Sequence, residues 1–209
     1  MFILYAIPIG ILLGMLVGGR LDGLAAIRFR WAPVAFAGLA IQVVLFSGPV
    51  AERIGDAGTP LYVGSTVLVL AALLRNLRLA GLPLVAVGAM SNLAAMVANG
   101  GSMPASADAL ATLGKSIRDE YSNSVLLPDP ALAPLTDIFA MPGFLPMANV
   151  FSIGDVLIGV GVAVAIAAAM RGGASRNLPP KYPDPGTDEP WPPERTDHTV
   201  PEKATTASR

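Results

Sequence analysis

The residue of this sequence best suited to chemistry in an apolar setting is Asp155, the only acid inside a long apolar stretch. An ionisable side chain there is a functional-site candidate by default, because burying a charge is costly. The motif Ser152-Ile-Gly-Asp155 also fits a structural role. In that role, Ser152 or the nearby Asn149 would cap a helix, and the negative charge of Asp155 would be stabilised by the positive end of the helix dipole. The sequence leaves both roles open.

Other polar side chains lie at a comparable depth in the predicted helices. Gln42 lies near the end of the second apolar stretch and Asn92 near the end of the fourth, roughly 8–11 Å from the helix ends at 1.5 Å per residue. With Asp155 on the same side, these groups could line one small pocket. The predicted binding residues are Asp155, Asn92, Asn99, Asn149, Gln42 and Ser152.

Composition excludes several catalytic chemistries. The chain has no cysteine, which excludes disulfides, thiolate catalysis and iron–sulfur clusters. Its single histidine, His198, lies in a proline-rich segment rather than in an apolar stretch. An enzyme that pairs Asp155 with Lys115 or Tyr121 is a third alternative, but no spacing of nucleophile and base supports it. We therefore predict no catalytic residue, no metal site and no cofactor.

Long apolar stretches are the elements that must position these side chains. Hydrophobic residues make up 53% of the 209 residues and charged residues only 14%, against about a quarter charged in soluble domains. A membrane-spanning helix needs about 20 mostly apolar residues. We expect an all-α polytopic membrane protein with about five transmembrane helices, near residues 1–19, 32–50, 58–75, 82–98 and 150–170.

Basic residues alternate along the connections between these helices. The connections after the first and third helices, together with Arg171 and Arg176 after the fifth, carry seven basic residues, and the other two connections carry three. Since basic loops are retained in the cytoplasm, the N-terminus is predicted outside and the C-terminus inside. The predicted location is the inner membrane, with the lipid bilayer as partner. No basic patch indicates nucleic-acid binding.

Residues 99–149, here called the long loop, are therefore predicted to be extracytoplasmic. Apolar residues recur in the long loop at helical spacing, which predicts a short amphipathic helix. These residues are Leu110, Leu113, Ile117 and Tyr121. The apolar stretch Ile138–Met147 contains two prolines and is too short to span, so we expect it to dip into the membrane interface.

Residues 172–209 differ in composition from the rest of the chain. They contain eight prolines, mixed charges and almost no aliphatic residues, so they cannot bury a core. We predict a disordered cytoplasmic tail that follows a transmembrane domain at residues 1–171.

Small residues indicate close helix packing. Gly10, Gly14 and Gly18 share one face of the first predicted helix, which lets another backbone approach closely. This face would serve either a homo-oligomer or packing within one protomer.

An internal repeat with an offset of fifty residues is also left open. At this offset Arg28 aligns with Arg78 and Pro33 with Pro83, but six identities in fifty positions are near chance for such a composition.

Two motifs flank the long loop, Asn99-Gly-Gly-Ser-Met-Pro104 before it and Asn149-Val-Phe-Ser-Ile-Gly-Asp155 after it. With the Gly-Gly-Arg20 turn, they resemble a family of small bacterial multi-pass membrane proteins, the domain of unknown function 5317. The resemblance covers about residues 1–171. It implies a bacterial inner-membrane protein, without implying an activity, substrate or cofactor.

The leading functional prediction is a non-enzymatic structural or interaction component whose long loop meets a protein partner or lipid. The alternative is a small-solute or lipid carrier, or a binding protein, that uses the six polar residues named above as an outer-leaflet pocket. A pocket requires those side chains to converge, whereas the interaction component requires an exposed surface on the long loop.

Overall fold

Helices make up most of the chain in the computed structural model, which describes residues 2–47, 50, 53–114 and 124–176. The described residues contain seven α-helices. Their bounds are α1 Ala6–Leu16, α2 Asp22–Ala25, α3 Ala32–Leu45, α4 Gly58–Leu74, α5 Leu82–Ala98, α6 Ala107–Leu113 and α7 Ile153–Arg176. The helix α7 continues past the predicted start of the tail at residue 172, and the rest of the predicted tail lies outside the described residues.

Five of these helices, α1, α3, α4, α5 and α7, lie in the five apolar stretches. Only α7 is long and apolar enough to cross a membrane by its length and composition, over Ile153–Gly172. The others are shorter apolar helices. Even α4 and α5, with 17 residues each, are only about 26 Å long at 1.5 Å per residue.

The helices α3 and α5 begin with the same backbone geometry. Trp31 and Gly81, which precede them, are both left-handed, with φ of 62° and 82°. A proline follows in the first turn of each helix, where its missing N–H costs nothing. These turns are fifty residues apart, the offset of the candidate repeat. The similarity between the two halves does not extend beyond these turns. At the same offset α4 corresponds to α1, but α1 packs against α7 whereas α4 packs against α3 and α5.

Glycines bring α5 and α7 into close antiparallel contact. A Cβ atom at Gly161 of α7 would lie 2.6 Å from the carbonyl oxygen of Gly81, at the start of α5. Further along, a Cβ atom at Gly88 of α5 would collide with the backbone of Gly154. Backbones this close gain van der Waals contact that larger residues would prevent.

The glycine face of α1 packs against α7, and the two helices run parallel. A Cβ atom at Gly10 would lie 2.9 Å from the Cα atom of Ala163, and Gly14 is covered by Met170. Gly18 lies beyond the helix in a left-handed turn, with φ of 76°. Of the two uses that the sequence left open for this face, the structure therefore has packing within the protomer.

One end of the bundle, here called the arginine end, holds most of the described arginines. It is formed by the connection from α1 to α3, the turn from α4 to α5 and the end of α7. Its arginines with described side chains are Arg20, Arg28, Arg30, Arg75, Arg78 and Arg171. The buried amide of Asn76 joins two of these segments, because its Oδ1 accepts from the Arg30 backbone N–H at 2.8 Å and its Nδ2 donates to the Arg30 carbonyl at 2.7 Å.

The long loop folds over the opposite end of the helices with short strands that the sequence analysis did not predict. Their bounds are β1 Met103–Pro104, β2 Ser124–Val125, β3 Phe139–Ala140 and β4 Val150–Phe151. The pair β1–β2 is parallel and the pair β3–β4 antiparallel. Met103 packs on Ala95 and Met96 of α5, which attaches the long loop to the bundle.

The amphipathic helix of the long loop differs from the prediction. The helix α6 covers Ala107–Leu113 and ends where Gly114 takes a left-handed conformation with φ of 64°, a geometry that terminates helices. The helix therefore contains Leu110 and Leu113 but ends before Ile117 and Tyr121, which were expected in it. Residues 115–123 lie outside the described part of the chain.

Candidate functional site

The start of α7 is a reciprocal capping box. The backbone N–H of Asp155 donates to the Ser152 Oγ atom at 3.1 Å, and the backbone N–H of Ser152 donates to Asp155 Oδ2 at 3.2 Å. Two N–H groups that a helix start leaves unpaired are satisfied in this way. The cap is Ser152, which is fully buried, rather than Asn149.

Asn92 of α5 joins this capping box to a second helix. Its Nδ2 atom donates to Asp155 Oδ1 at 2.8 Å, and its Oδ1 atom accepts from the Ser152 hydroxyl at 2.9 Å. A side chain at Gly154 would collide with this amide, so the glycine makes room for it. We call Asn92, Ser152 and Asp155 the polar cluster. It brings together three of the six predicted binding residues.

The other three predicted binding residues lie elsewhere, so the structure does not assemble the six-residue pocket. Gln42 donates from Nε2 to the Thr66 hydroxyl at 3.2 Å, which links α3 to α4. Asn99 holds the long loop, since its side chain exchanges two hydrogen bonds of 2.8 Å with the backbone of Ala131. The Asn149 side chain is exposed, and the backbone carbonyl of Asn149 accepts from the Met141 N–H beside the strand pair β3–β4.

Two residues that sequence reasoning missed lie beside the polar cluster. Asp137 of the long loop is only 9% exposed, and Tyr62 of α4 is half-buried. The charge of Asp155 acts on both side chains, and that of Asp137 acts on Tyr62. The backbone of Asp137 is fixed by bonds of 3.0 Å to the Pro104 carbonyl and 2.9 Å from the Ser106 N–H. Its position depends on the strands of the long loop, which left no periodic signal.

The carboxyl group of Asp137 is poised to titrate near neutral pH. Burial, and to a lesser extent the negative charge of Asp155, raises its pKa from 3.8 to about 7. Both causes disfavour the ionised form, because burial removes the carboxylate from solvent and the negative charge of Asp155 repels it. The only salt bridge between described residues joins Arg20 to Asp22, at the arginine end.

The chemistry open to this region is that of two neighbouring carboxyl groups with an amide and a phenol. Carboxylate, amide and phenol oxygens of this kind can bind a small cation. Among the described residues, no three potential metal-ligating side chains of His, Cys, Asp or Glu come together. Lys115 and Tyr121, the proposed partners of Asp155 in an enzyme, lie outside the described residues.

The fold and the polar cluster together define a small, mostly helical protein with one helix able to span a membrane and a folded long loop over the helix ends. Residues 26–167 match the model of a family of unknown function, DUF5317, and the chain belongs to that family. The match includes the long loop, Asn92 and the whole polar cluster. No curated protein and no solved structure matches the chain.

Proposed function

We propose that this chain is a multi-pass inner-membrane protein with five spans, the N-terminus outside and the C-terminus inside, and that it acts as a non-enzymatic interaction component. The long loop is the element that meets a partner protein. The observation that carries this role is the exposed apolar surface that the long loop holds in a fixed position.

Exposure of the helices supports five spans. Only 28% of the apolar window of α7 is buried, whereas a core helix of a soluble protein is mostly buried. Large apolar side chains are also exposed on shorter helices, such as Leu16 at 74%, Phe36 at 69% and Val43 at 73%. Exposed apolar surface on this scale marks contact with lipid or protein. Short helices span by tilting less, by thinning the bilayer and by using flanking residues.

Helix direction and charge support the orientation. The five long helices run alternately between the two ends of the bundle, as consecutive spans require. Among residues whose side chains the structure describes, the arginine end holds six arginines and one acid, Asp22. The long-loop end holds one arginine and four acids, Arg53, Asp108, Asp129, Asp137 and Asp155. An excess of arginine at one end is typical of the cytoplasmic side.

The long loop presents its apolar surface on a braced turn within Ile138–Met147. Phe144 is 86% exposed and Met147 is 58% exposed. The turn is held by the residue that precedes α1, since the Tyr5 hydroxyl donates to the Pro146 carbonyl at 2.6 Å. A turn whose backbone is braced loses little entropy on binding, so its exposed aromatic side chain is well suited to anchor a partner.

Site-specific photo-crosslinking in cells tests this role. A photoreactive phenylalanine at Phe144 is expected to give an adduct with one discrete protein. The same residue at Phe36, which is similarly exposed on α3, is the matched control and is expected to give lipid adducts only. If Phe144 also crosslinks to lipid alone, the long loop is an interfacial anchor and the proposed role is wrong.

A second candidate function, a binding protein for a small cationic solute, is favoured by Asp137. Its buried carboxyl group lies beside Asp155 without a salt bridge to any described residue. A bound cation would then lower the pKa of Asp137 and raise the melting temperature. Melting curves with sodium, calcium and ammonium salts at constant ionic strength test this. No ion-specific shift, or an equal shift in Asp137→Asn, would exclude it.

A further inference from the structure

A cavity of about 470 Å³ opens at the arginine end, away from the polar cluster. Its walls come from the connection between α1 and α3, the turn between α4 and α5, and the last part of α7. Most lining side chains are apolar, among them Ile27, Leu79 and Ala168. Two are cationic, Arg28 and Arg78.

The two arginines bring positive charge that no acid among the described residues neutralises. Neither Arg28 nor Arg78 forms a salt bridge with a described residue, and both are exposed. The one described acid at this end, Asp22, is 3.4 Å from Arg20. The cavity therefore combines an apolar interior with two exposed guanidinium groups that form no salt bridge with any described residue.

The fold holds the two arginine segments together. The Asn76 side chain makes two hydrogen bonds with the backbone of Arg30 and a third, of 2.7 Å, to the Ala72 carbonyl. Arg28 lies two residues before Arg30, and Arg78 lies two residues after Asn76. The buried amide thus holds the backbones of the two arginine-bearing segments together before any ligand binds, which lowers the cost of binding.

We propose that this cavity binds the headgroup of an anionic phospholipid from the inner leaflet. Arg28 and Arg78 donate hydrogen bonds to the phosphate oxygens, a geometry to which the guanidinium group is suited. The start of an acyl chain lies against Leu79 and Ala168. Basic pockets between membrane helices on the cytoplasmic side bind such headgroups. The inference rests on the membrane location proposed above but not on the role of the long loop.

Native mass spectrometry of the full-length protein in detergent tests the proposal, with phosphatidylglycerol and the zwitterionic phosphatidylethanolamine as probes. Wild type is expected to retain phosphatidylglycerol preferentially. Each basic residue near such a headgroup contributes about 1 kcal/mol, so R28A/R78A should bind phosphatidylglycerol about thirtyfold more weakly. The matched control R30A/R75A removes two arginines from the same two segments outside the cavity lining, and should bind as wild type.

Several results of this experiment would overturn the proposal. Unchanged binding in R28A/R78A, or an equal loss in R30A/R75A, overturns the site. If excess glycerol 3-phosphate displaces the lipid, the site takes a free phosphate ester and the lipid assignment is wrong. R28Q/R78Q, which keeps side-chain length, replaces the alanine variant if that one unfolds. A chain that stays soluble without detergent would instead refute the membrane location.

Discussion

At the scale of single residues, the polar cluster predicts a measurable cost for losing its cap. Ser152→Ala removes the helix cap of α7 and the hydroxyl that donates to Asn92, so it should lower the free energy of unfolding by about 1–2 kcal/mol. Unfolding in detergent with increasing denaturant measures this. Ser47→Ala is the control, because that hydroxyl makes only a solvent-exposed hydrogen bond to the Val44 carbonyl in its own turn. Equal stability of the two variants would mean that the cap contributes nothing.

Asp137 predicts that stability falls as the pH rises from about 4 to about 7. Folding raises the pKa of this carboxyl from 3.8 to about 7. In that window the folded protein keeps a proton that the unfolded chain has lost, so the free energy of unfolding decreases with pH and then levels off. In Asp137→Asn this part of the decrease should be absent. Melting temperatures of both proteins from pH 4 to 8 provide the comparison, and parallel curves would contradict the assignment.

Sequence reasoning found the polar cluster because its members are unusual where they occur. A serine, an acid and an asparagine stand out in apolar helices, and the Ser-x-x-Asp spacing specifies a cap. Nothing comparable marks Asp137 or Asn76. Both lie among other loop residues, and their burial results from contacts between segments distant in sequence. Asn99 was identified as polar, but its bonds to Ala131 could not be foreseen without the course of the long loop.

At the scale of elements, two asparagines perform the same task at opposite ends of the bundle. Asn76 and Asn99 each exchange two hydrogen bonds with the backbone of a loop residue, and each also donates to the carbonyl four residues earlier. Asn76→Ala should cost about 1–3 kcal/mol, because it leaves buried backbone groups without partners. Asn99→Ala should cost less, since water reaches that site. Denaturant unfolding of both variants checks the order, and the reverse order would contradict it.

Replacement of glycine by alanine should have opposite effects in the contact between α5 and α7 and on the open face of α4. Gly161→Ala places a methyl group 2.6 Å from the Gly81 carbonyl oxygen, and overpacking of this kind costs about 1–3 kcal/mol. Gly64→Ala has nothing within 4 Å, so it should leave stability unchanged or raise it by up to about 1 kcal/mol through helix propensity. Melting temperatures in detergent distinguish them. Similar values would show that α5 and α7 do not pack this closely.

Hydropathy located the five long helices well. It could not predict the short strands of the long loop or which helices pack together. The bounds of α5 agree with the sequence because glycine, proline and asparagine mark both ends. The two-residue strands are too short to carry a periodic pattern. The contact of α1 with α7 lies outside sequence prediction as well, since glycine faces specify close packing but not the partner.

At the scale of the whole molecule, the two ends of the bundle differ in kind. The long-loop end is folded, carries the buried carboxyl groups and turns Phe144 outward. The arginine end is formed by short turns around an apolar cavity. This asymmetry follows from where the charges and the one long connection lie in the sequence, and it places the two proposed binding surfaces at opposite ends of the bundle.

The orientation of the chain is tested most directly by the reactivity of single cysteines, because the native chain contains none. Four exposed positions are suitable, Ala57, Leu77, Asp129 and Gly172. In right-side-out vesicles, cysteines at positions 57 and 129 should react with a membrane-impermeant maleimide. Those at 77 and 172 should react only after permeabilisation. Labelling of the cysteine at 77 in sealed vesicles, at the rate seen at 129, would contradict the account.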